Sequence, residues 1–574
     1  MLKDADIRQR FAVTLGQGSD AGRKAVNQDF HGAMIPTGAE LDLKGITLAL
    51  ADGISSSAVS AEAAETTVKS LLGDYYATPD AWTARVAACR VIAATNAWLF
   101  GQNSDLDDID RGRVCTLSVL ILKGREAHVL HVGDSRVTLL RGGAIEVLTE
   151  DHQTRLASGE IYLSRAIGSA AHVEIDYRRI ALEPGDIFVL SSDGVHDYLT
   201  QAEITAALAA PPDDAAADLL ARALANGSPD NVTVQVLRVD ALPPEDAPLV
   251  PEEARLPVPP LPQPGGQIDG YRVLRQIHAS DRSHVFLASD ADGRRFALKI
   301  PAGELAADAE TRRRFVLEEW IARRVTSPHV LAVPERTAPR SSLYVVTEYV
   351  DGQTLRQWMT DTPAPSLGVV RDLLGQIAAG LRALHRRQMI HQDIRPENIM
   401  IDREGLVKII DLGSATVAGV EEAAPGTLGE MPGTLQYTAP EYLSGDVVSW
   451  RSDQFALGVI AYEMLTGRLP YGAQASRVTS RADQRRLRYR PARDDDSSVP
   501  DWIDLALRRA LHPDPLRRYD ALSEFCADLA RPGAGWTAQA HRPLIERHPL
   551  RFWQGLSAVL AILCLILAIQ LASQ

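Results

Sequence analysis

The sequence predicts a multidomain α+β protein ending in one membrane-spanning helix, and three observations carry that prediction. At 574 residues the chain exceeds what one hydrophobic core usually organises. The stretch from Ala241 to Gly270, ALPPEDAPLVPEEARLPVPPLPQPGGQIDG, holds nine prolines, a composition that keeps backbone extended and serves as a semi-rigid spacer. From Phe552 to Leu571, FWQGLSAVLAILCLILAIQL carries no charge over 20 residues, enough at 1.5 Å per residue to cross ~30 Å of hydrocarbon.

The elements follow in order. Residues 1–240 form the first domain: β-branched runs such as AHVLHVGDSRVTLL and DIFVLSSDGV alternate with alanine-rich helical stretches at Ala61 to Leu72 and Ala215 to Asn226. Residues 241–270 are the linker. Residues 271–530 open with short strands, including a hairpin signal at Asp292-Gly293, and continue with long amphipathic helices. A basic juxtamembrane segment, 531–551, precedes the span at 552–571; Arg542, Arg547 and Arg551 lie before it and no basic residue after. The positive-inside rule then gives a single-pass C-terminal anchor with the catalytic domains cytoplasmic. The start, MLKDADIRQRFAVTLG, has no apolar run behind a basic end, so no secretory signal is expected.

Composition excludes some functions. A formal net charge of −14 argues against nucleic acid as a partner, since phosphate neutralisation draws on excess Lys and Arg. Cys89, Cys115, Cys526 and Cys564 form neither a disulfide framework nor a CxxC metal pattern. The basic run Arg481 to Arg493 reads as a solvated surface. His131, His152 and His196 show no metal spacing and read as structural.

In the first domain four aspartates sit in turn-like settings at predicted strand ends: Asp29 in VNQD, Asp52 in ALADG, Asp193 in LSSDG and Asp230 in GSPDN. Hard divalent cations prefer oxygen ligands and keep several waters, so a few converging carboxylates suit them. The ordered strings RKAVNQD, ADG, HVGDSRV, LTEDH, SRAIGS, LSSDGVHDYLT and SPDNVTV resemble the type 2C metal-dependent Ser/Thr protein phosphatases over roughly Phe11 to Val239. That resemblance implies a β-sandwich flanked by helices and a centre of two Mg²⁺ or Mn²⁺ ions. Asp29, Asp52, Asp193 and Asp230 match its metal ligands, with Gly53 offering a carbonyl, and the ions would activate a water for in-line attack on phosphorus. Arg23 and Lys24 stand where the family grips the phosphate, Lys24 at the matching spacing without the bidentate fork of arginine. DGISSS departs from the family, because Ile54 cannot donate a proton to the leaving group. Asp134, in GDSR, reads as a turn residue.

In the second domain HQDIRPENIMI, then VKIIDLGSA and GTLQYTAPE, resemble the eukaryotic-type Ser/Thr protein kinases, with FALKI, SDQFALGVIAYEMLTGRLPY and DPLRRY in their family places, over about Tyr271 to Leu529. The resemblance implies a bilobal fold using ATP and Mg²⁺. Lys299 matches the lysine that holds the α- and β-phosphates, Glu318 its helix partner, Asp393 the catalytic base, Arg395 the phosphate-neighbouring cation, and Asn398 and Asp411 the Mg²⁺ ligands. Ile277, Val285, Ala297, Glu348 and Val350, with Lys299, fall at the ATP-binding positions, Thr347 is the gatekeeper, and Glu441 and Arg518 match a buried pair bracing the large lobe.

Two departures stand out. IHASDRSHVFLA places His278, Ser280 and Ser283 where the family has glycines over the phosphates, which should loosen the lid; Ser280, Arg282 and Ser283 are then candidate phosphate donors. Gln392 replaces the Arg that answers an activation-segment phosphate, so activity should depend less on phosphorylation there. Thr427 and Thr434 are the candidate autophosphorylation sites. The resulting expectation is a membrane-anchored bifunctional Ser/Thr kinase and phosphatase whose partners are Ser/Thr and phospho-Ser/Thr protein substrates, its own kinase domain among them. The competing reading is an active phosphatase regulated by a pseudokinase, favoured by the missing glycines and opposed by Lys299, Asp393, Asn398 and Asp411.

Overall fold

The computed structural model describes residues 11–572 except 107, 156–160, 244–251, 281, 304–308, 336–338, 424–435, 445–447, 473, 475–477, 479, 493–498 and 533–548. The chain divides into two units, Met1–Glu252 with Thr416–Gly429, and Glu253–Ala415 with Glu430–Gln574.

In the first unit, strands β1 (Ala12–Asp20), β2 (Asp29–Met34), β3 (Ile46–Asp52), β4 (Leu117–Lys123), β5 (Glu126–Val132), β6 (Arg136–Arg141), β7 (Ala144–Val147), β8 (Asp176–Ala181), β9 (Ile187–Ser191) and β10 (Val232–Ala241) make two antiparallel sheets. Their orders are β1-β10-β9-β6-β7 and β8-β5-β4-β3-β2. Alternation along each strand supplies two apolar faces. On β3, Ile46, Leu48 and Leu50 enter the core between the sheets with Phe188, Leu190, Leu237 and Val239. The intervening Ala49 and Ala51 face the helical layer of α1 (Ser60–Ala77) and α2 (Ala84–Gln102), meeting Ala63, Val68, Leu71 and Ala88. Small residues on both sides let helix and sheet approach closely. The other sheet is covered by α3 (Pro212–Ala225), whose Ala216, Leu219 and Ala223 pack on Val189, Val234 and Val236.

The segment Thr416–Gly429 belongs to this unit through a short helix, Ala418–Ala423. Glu422 accepts from Lys123 Nζ at 3.0 Å and from the Ala84 backbone N–H at 2.7 Å. The Gly419 N–H donates to the Ala81 carbonyl at 2.9 Å.

The second unit has two lobes. Strands β11 (Gln267–Ile268), β12 (Tyr271–Ala279), β13 (Ser283–Ser289), β14 (Arg295–Pro301) and β15 (Val345–Glu348) form an antiparallel sheet in chain order, joined by helix α4 (Ala309–Arg324). The larger lobe is built on α5 (Leu367–His385), α6 (Trp450–Thr466), α7 (Asp501–Ala510) and α8 (Leu522–Ala530), with a small sheet of β16 (Gly352–Thr354), β17 (Ile399–Asp402) and β18 (Val407–Ile409). α5 shows why: Ser366 caps its start by accepting from the Val369 N–H, and Val370, Leu373, Leu374, Ile377, Leu381 and Leu384 recur at helical spacing and are buried.

The membrane helix expected over 552–571 is not found. A helix, α9 (Pro549–Ala572), does form, but among the described residues no helix is long and apolar enough to cross a membrane. Arg551 and Gln554 stand in its first two turns, where a span needs unbroken apolar surface. The single-pass anchor, the membrane as a partner and the topology that set the catalytic domains in the cytoplasm rested on this span and are withdrawn with it. The basic segment ahead of it lies outside the described residues from 533 to 548.

Candidate active sites

In the first unit the carboxylates gather at one end of the sandwich. Asp29 opens β2 and Asp52 closes β3, and antiparallel register sets them directly opposite one another. Asp193 begins the short helix Asp193–His196 that follows β9. Ser192 ties this end together, donating to Asp29 Oδ2 at 2.9 Å while its hydroxyl accepts from the Thr233 N–H at 3.0 Å. Asp230 lies in the turn before β10, and Asn231 anchors that turn by accepting from the Gln28 N–H at 2.8 Å and donating to Ala21 O and Val26 O. A side chain at Gly194 would strike the Asn231 carbonyl 2.0 Å away, so glycine is required for this turn to close on the helix.

Electrostatics show how near these groups are. Burial pushes Asp193 up to about 7, reinforced by the charges of Asp134, Asp230 and Asp29. Asp52 is raised by burial and then by Asp29, Asp193, Asp134 and Asp230; Asp29 is raised by burial and by Asp230. Asp29 Oδ1 and Asp193 Oδ1 are buried with no hydrogen-bond partner. Gathered carboxylates with orphaned oxygens are what a divalent cation would satisfy. Among the described residues no three carboxylates, thiolates or imidazoles close around a single ion; the donors fit cations that take one or two carboxylates each and complete their shells with water and substrate oxygens.

Of the two phosphate-binding candidates, Lys24 reaches this cluster. Its Nζ pairs with Asp230 Oδ1 and donates to Ser55 Oγ at 2.5 Å, whereas Arg23 is exposed. The DGISSS turn is organised by Gln28, which donates to Ser57 O at 2.7 Å and Ser60 Oγ at 2.6 Å. Gly53 sits where an added Cβ would meet Ser60 O at 2.7 Å. Asp134, read from the sequence as a turn residue, lies in a bend directly after β5, and its charge is the largest electrostatic influence on Asp193.

In the second unit Lys299 projects from β14 and donates to Glu318 Oε2 of α4 at 2.7 Å and to Asp411 Oδ1 at 3.3 Å. Burial opposes its charge, but Asp411 and Glu318 together hold the ammonium above its usual range. Lys299 in turn holds Asp411 below the usual carboxylate range. Burial pushes Glu318 the other way; with an ammonium 2.7 Å away we take the pair as ionised. Asp411 adopts a left-handed backbone, φ 62°, a strained choice for a non-glycine residue that turns its carboxylate toward Lys299. Asn398 donates to Asp393 Oδ2 and to the Asp393 carbonyl, each at 2.8 Å. Asp393 is raised by burial, against the opposing charges of His391 and Arg395. The loop is fixed from below by buried Asp453, which accepts from the His391 and Gln392 N–H groups at 2.9 Å each.

The ATP-binding candidates fall around this core. Val285 pairs with Lys299 and Ala297 with Thr347 in the sheet register, and Val350 is buried. The Glu348 N–H donates to Ala332 O, while its carboxylate receives Lys408 Nζ at 2.8 Å. Ile277 lies on β12, ahead of the turn. That turn closes without glycine: the Ser280 N–H and hydroxyl both donate to Ser283 O, at 2.9 and 3.2 Å, and the Ser283 N–H returns to Ser280 Oγ at 3.2 Å. Ser280 and Ser283 therefore serve the hairpin itself and Ser283 is buried, leaving Arg282 exposed. Thr427 and Thr434 lie outside the described residues.

Residues 271–528 match the protein kinase domain, and residues 18–230 match protein phosphatase 2C. One chain carries both catalytic domains. The kinase domain is similar to the serine/threonine-protein kinase PrkC of Bacillus subtilis, 30% identical over 267 residues, 46% of this chain and 41% of that protein. It is also similar to PknB of Mycolicibacterium smegmatis, 32% identical over 285 residues, 48% and 45% of the two chains. The chain thus spans less than half the length of these curated relatives. On the phosphatase side, the solved S. agalactiae serine/threonine phosphatase is 27% identical and aligns over 40% of this chain and 100% of that one, with a TM-score of 0.36.

Proposed function

We propose that the chain is a bifunctional enzyme: a Ser/Thr protein kinase that transfers the ATP γ-phosphate to protein hydroxyls, and a metal-dependent phosphatase that hydrolyses phospho-Ser/Thr proteins. The observation that carries the kinase half is the assembled Lys299, Glu318 and Asp411 cluster beside an Asp393 already gripped by Asn398. Phosphoryl transfer depends chiefly on positioning and charge stabilisation, which these groups would supply. Lys299 would hold the phosphates, Asp393 orient the substrate hydroxyl and accept its proton, and Arg395 offset charge beside it. Asn398 and Asp411 would hold Mg²⁺ brought with ATP.

For the phosphatase half, Asp29, Asp52, Asp193, Asp230 and the Gly53 carbonyl would hold two Mg²⁺ or Mn²⁺ ions. Such ions supply Lewis acidity toward water and the phosphate oxygens. Lys24, already at the cluster, would bind phosphate once cations release it from Asp230, and Gln28 would keep the Ile54 turn from closing on the site. A phosphatase joined to a kinase in one chain raises each domain's effective concentration for the other, so phosphoryl groups on the kinase domain are a fitting substrate.

The test is phosphosite mapping with radiolabel transfer from ATP for parent, Asp393→Asn and Asp193→Asn proteins, and hydrolysis of p-nitrophenyl phosphate with Mn²⁺. The proposal expects label transfer to vanish only in Asp393→Asn, hydrolysis to vanish only in Asp193→Asn, and phosphate to accumulate on Asp193→Asn. A parent protein that transfers no label would return the kinase domain to a regulatory role; one that hydrolyses nothing would do the same for the phosphatase.

A further inference from the structure

The proline-rich stretch contributes a built contact to the helix that carries Glu318. Arg312, on α4, donates from Nε to the Ala254 carbonyl at 2.6 Å and from Nη2 to the Leu256 carbonyl. The next residue along, Pro257, accepts from the Leu343 N–H at 2.8 Å, immediately before β15. Ala254 is buried, and Val258 and Ile268 pack against the small-lobe core of Val273, Phe286, Leu298, Ile300 and Tyr344. Farther on, Asp269 accepts from the Ser341 N–H and hydroxyl at 2.8 and 2.7 Å and from Tyr344 OH at 2.8 Å. Ser341 follows Arg340, which pairs with buried Glu319 on α4.

Residues 254–269 therefore run as a strap along the small lobe, bonded to α4 directly through Arg312 and indirectly through the neighbour of Arg340. The same core includes Leu298 and Ile300, the residues on either side of Lys299. A helix gripped at Arg312 and Glu319 has little freedom to carry Glu318 away from that lysine.

We propose that Arg312 is a positioning residue for the kinase reaction, and that it acts by locking α4 to the strap so that Glu318 keeps Lys299 aligned for the ATP phosphates. The inference rests on the kinase reading above. Arginine suits the task because its planar fork reaches two carbonyls at once.

The experiment uses the full chain and compares parent, Arg312→Ala, Arg312→Lys and Asp269→Ala. Three quantities are measured: amide exchange of the α4 peptides, affinity for MgATP by titration in the parent and Lys299→Met backgrounds, and KM and kcat for label transfer. Arg312→Ala is expected to speed exchange in α4 while β12 to β14 keep their protection, and to raise the KM for ATP about tenfold, below the roughly hundredfold that a 1 Å misplacement at a reacting centre can cost. Arg312→Lys, which retains one bond, falls between. In the Lys299→Met background the Arg312→Ala effect on affinity disappears, which a merely destabilising change would not do. Phosphatase activity of the same preparations stays unchanged. Unaltered α4 exchange, a KM within twofold of the parent, or an equal loss of affinity with and without Lys299 overturns the inference. A parent that binds MgATP and transfers no phosphate sinks the kinase reading alone, since exchange and affinity still decide the role of Arg312.

Discussion

Removing Arg518 should cost the kinase domain more stability than any surface change, and the structure gives the size. Glu441 and Arg518 are both fully buried, 0% exposed, and meet through two bonds of 2.7 Å. Arg518 also donates to the carbonyls of His512 and Arg451 at 2.8 Å each and to Pro513 O at 3.2 Å, while Glu441 accepts from Ser452 Oγ at 2.8 Å. Arg518→Met fills a similar volume but leaves the Glu441 carboxylate in the interior without the guanidinium that compensates its charge. Breaking a buried pair from one side costs about 3–5 kcal/mol, because the surviving charge has lost its compensation; that corresponds to on the order of 10 °C in Tm for a domain of this size.

The assay is urea or thermal unfolding of the full chain, with MgATP-dependent stabilisation used to assign the kinase transition. The double variant Glu441→Leu with Arg518→Met removes both charges and should recover much of the loss. Two results would refute the reasoning: Arg518→Met costing less than about 1 kcal/mol, the range of an exposed pair, or a double variant no better than the single.

Stripping divalent ions with a chelator should abolish hydrolysis of p-nitrophenyl phosphate and lower the phosphatase unfolding midpoint, and added Mn²⁺ should restore both; persistence of hydrolysis in chelator would remove the metal from the account. His128 and His131 are buried at 0% and 2% exposure, and burial holds each at about 4 against an ordinary 6.5. Between those values the unfolded chain binds protons that the folded one does not, so stability is lost as pH falls from about 6.5 toward 4. Replacing His131 by Asn should flatten that slope relative to parent in unfolding runs at pH 7, 6 and 5, the shared aspartate contribution cancelling in the comparison; an unchanged slope would show that His131 does not titrate there. The Gln392 N–H is held by Asp453 and its side chain cannot answer a phosphate as arginine would, so a Thr427→Ala, Thr434→Ala double variant should keep most of its label transfer to a protein substrate, and complete loss would contradict this.

The clustering of the candidate carboxylates was legible in sequence because their chemistry leaves little choice of residue and because strand ends place them. Asp29 and Asp52 close a register pair, and Lys299, Asp393, Asn398 and Asp411 occupy ordered strings whose spacing the fold then converges. What was not legible depended on where backbone groups find partners. Ser280 and Ser283 looked like phosphate donors, yet a tight turn without glycine must satisfy its own amides, and their hydroxyl and carbonyl do so. The apolar C-terminal run suggested a span, yet among the described residues no helix is long and apolar enough to cross a membrane.

The linker gives the sharpest case. Composition reads residues 241–270 as an extended spacer, but among its described residues Glu252–Arg255 form a short 3-10 helix, and composition is silent on bonding. Each proline keeps a carbonyl and lacks an N–H, so a proline-rich segment is short of internal donors and rich in acceptors. A segment of that kind, once seated on a folded lobe, has to draw its donors from outside itself. Ala254, Leu256 and Pro257 receive theirs from Arg312 and the Leu343 N–H, an arginine on the helix of Glu318 and an amide at the edge of the sheet that bears Lys299. The property that makes the stretch look inert in sequence is therefore the one that bonds it to the helix of Glu318 and to the edge of the sheet that bears Lys299, where a Gly/Ser linker, solvating its own backbone, would find less reason to bind.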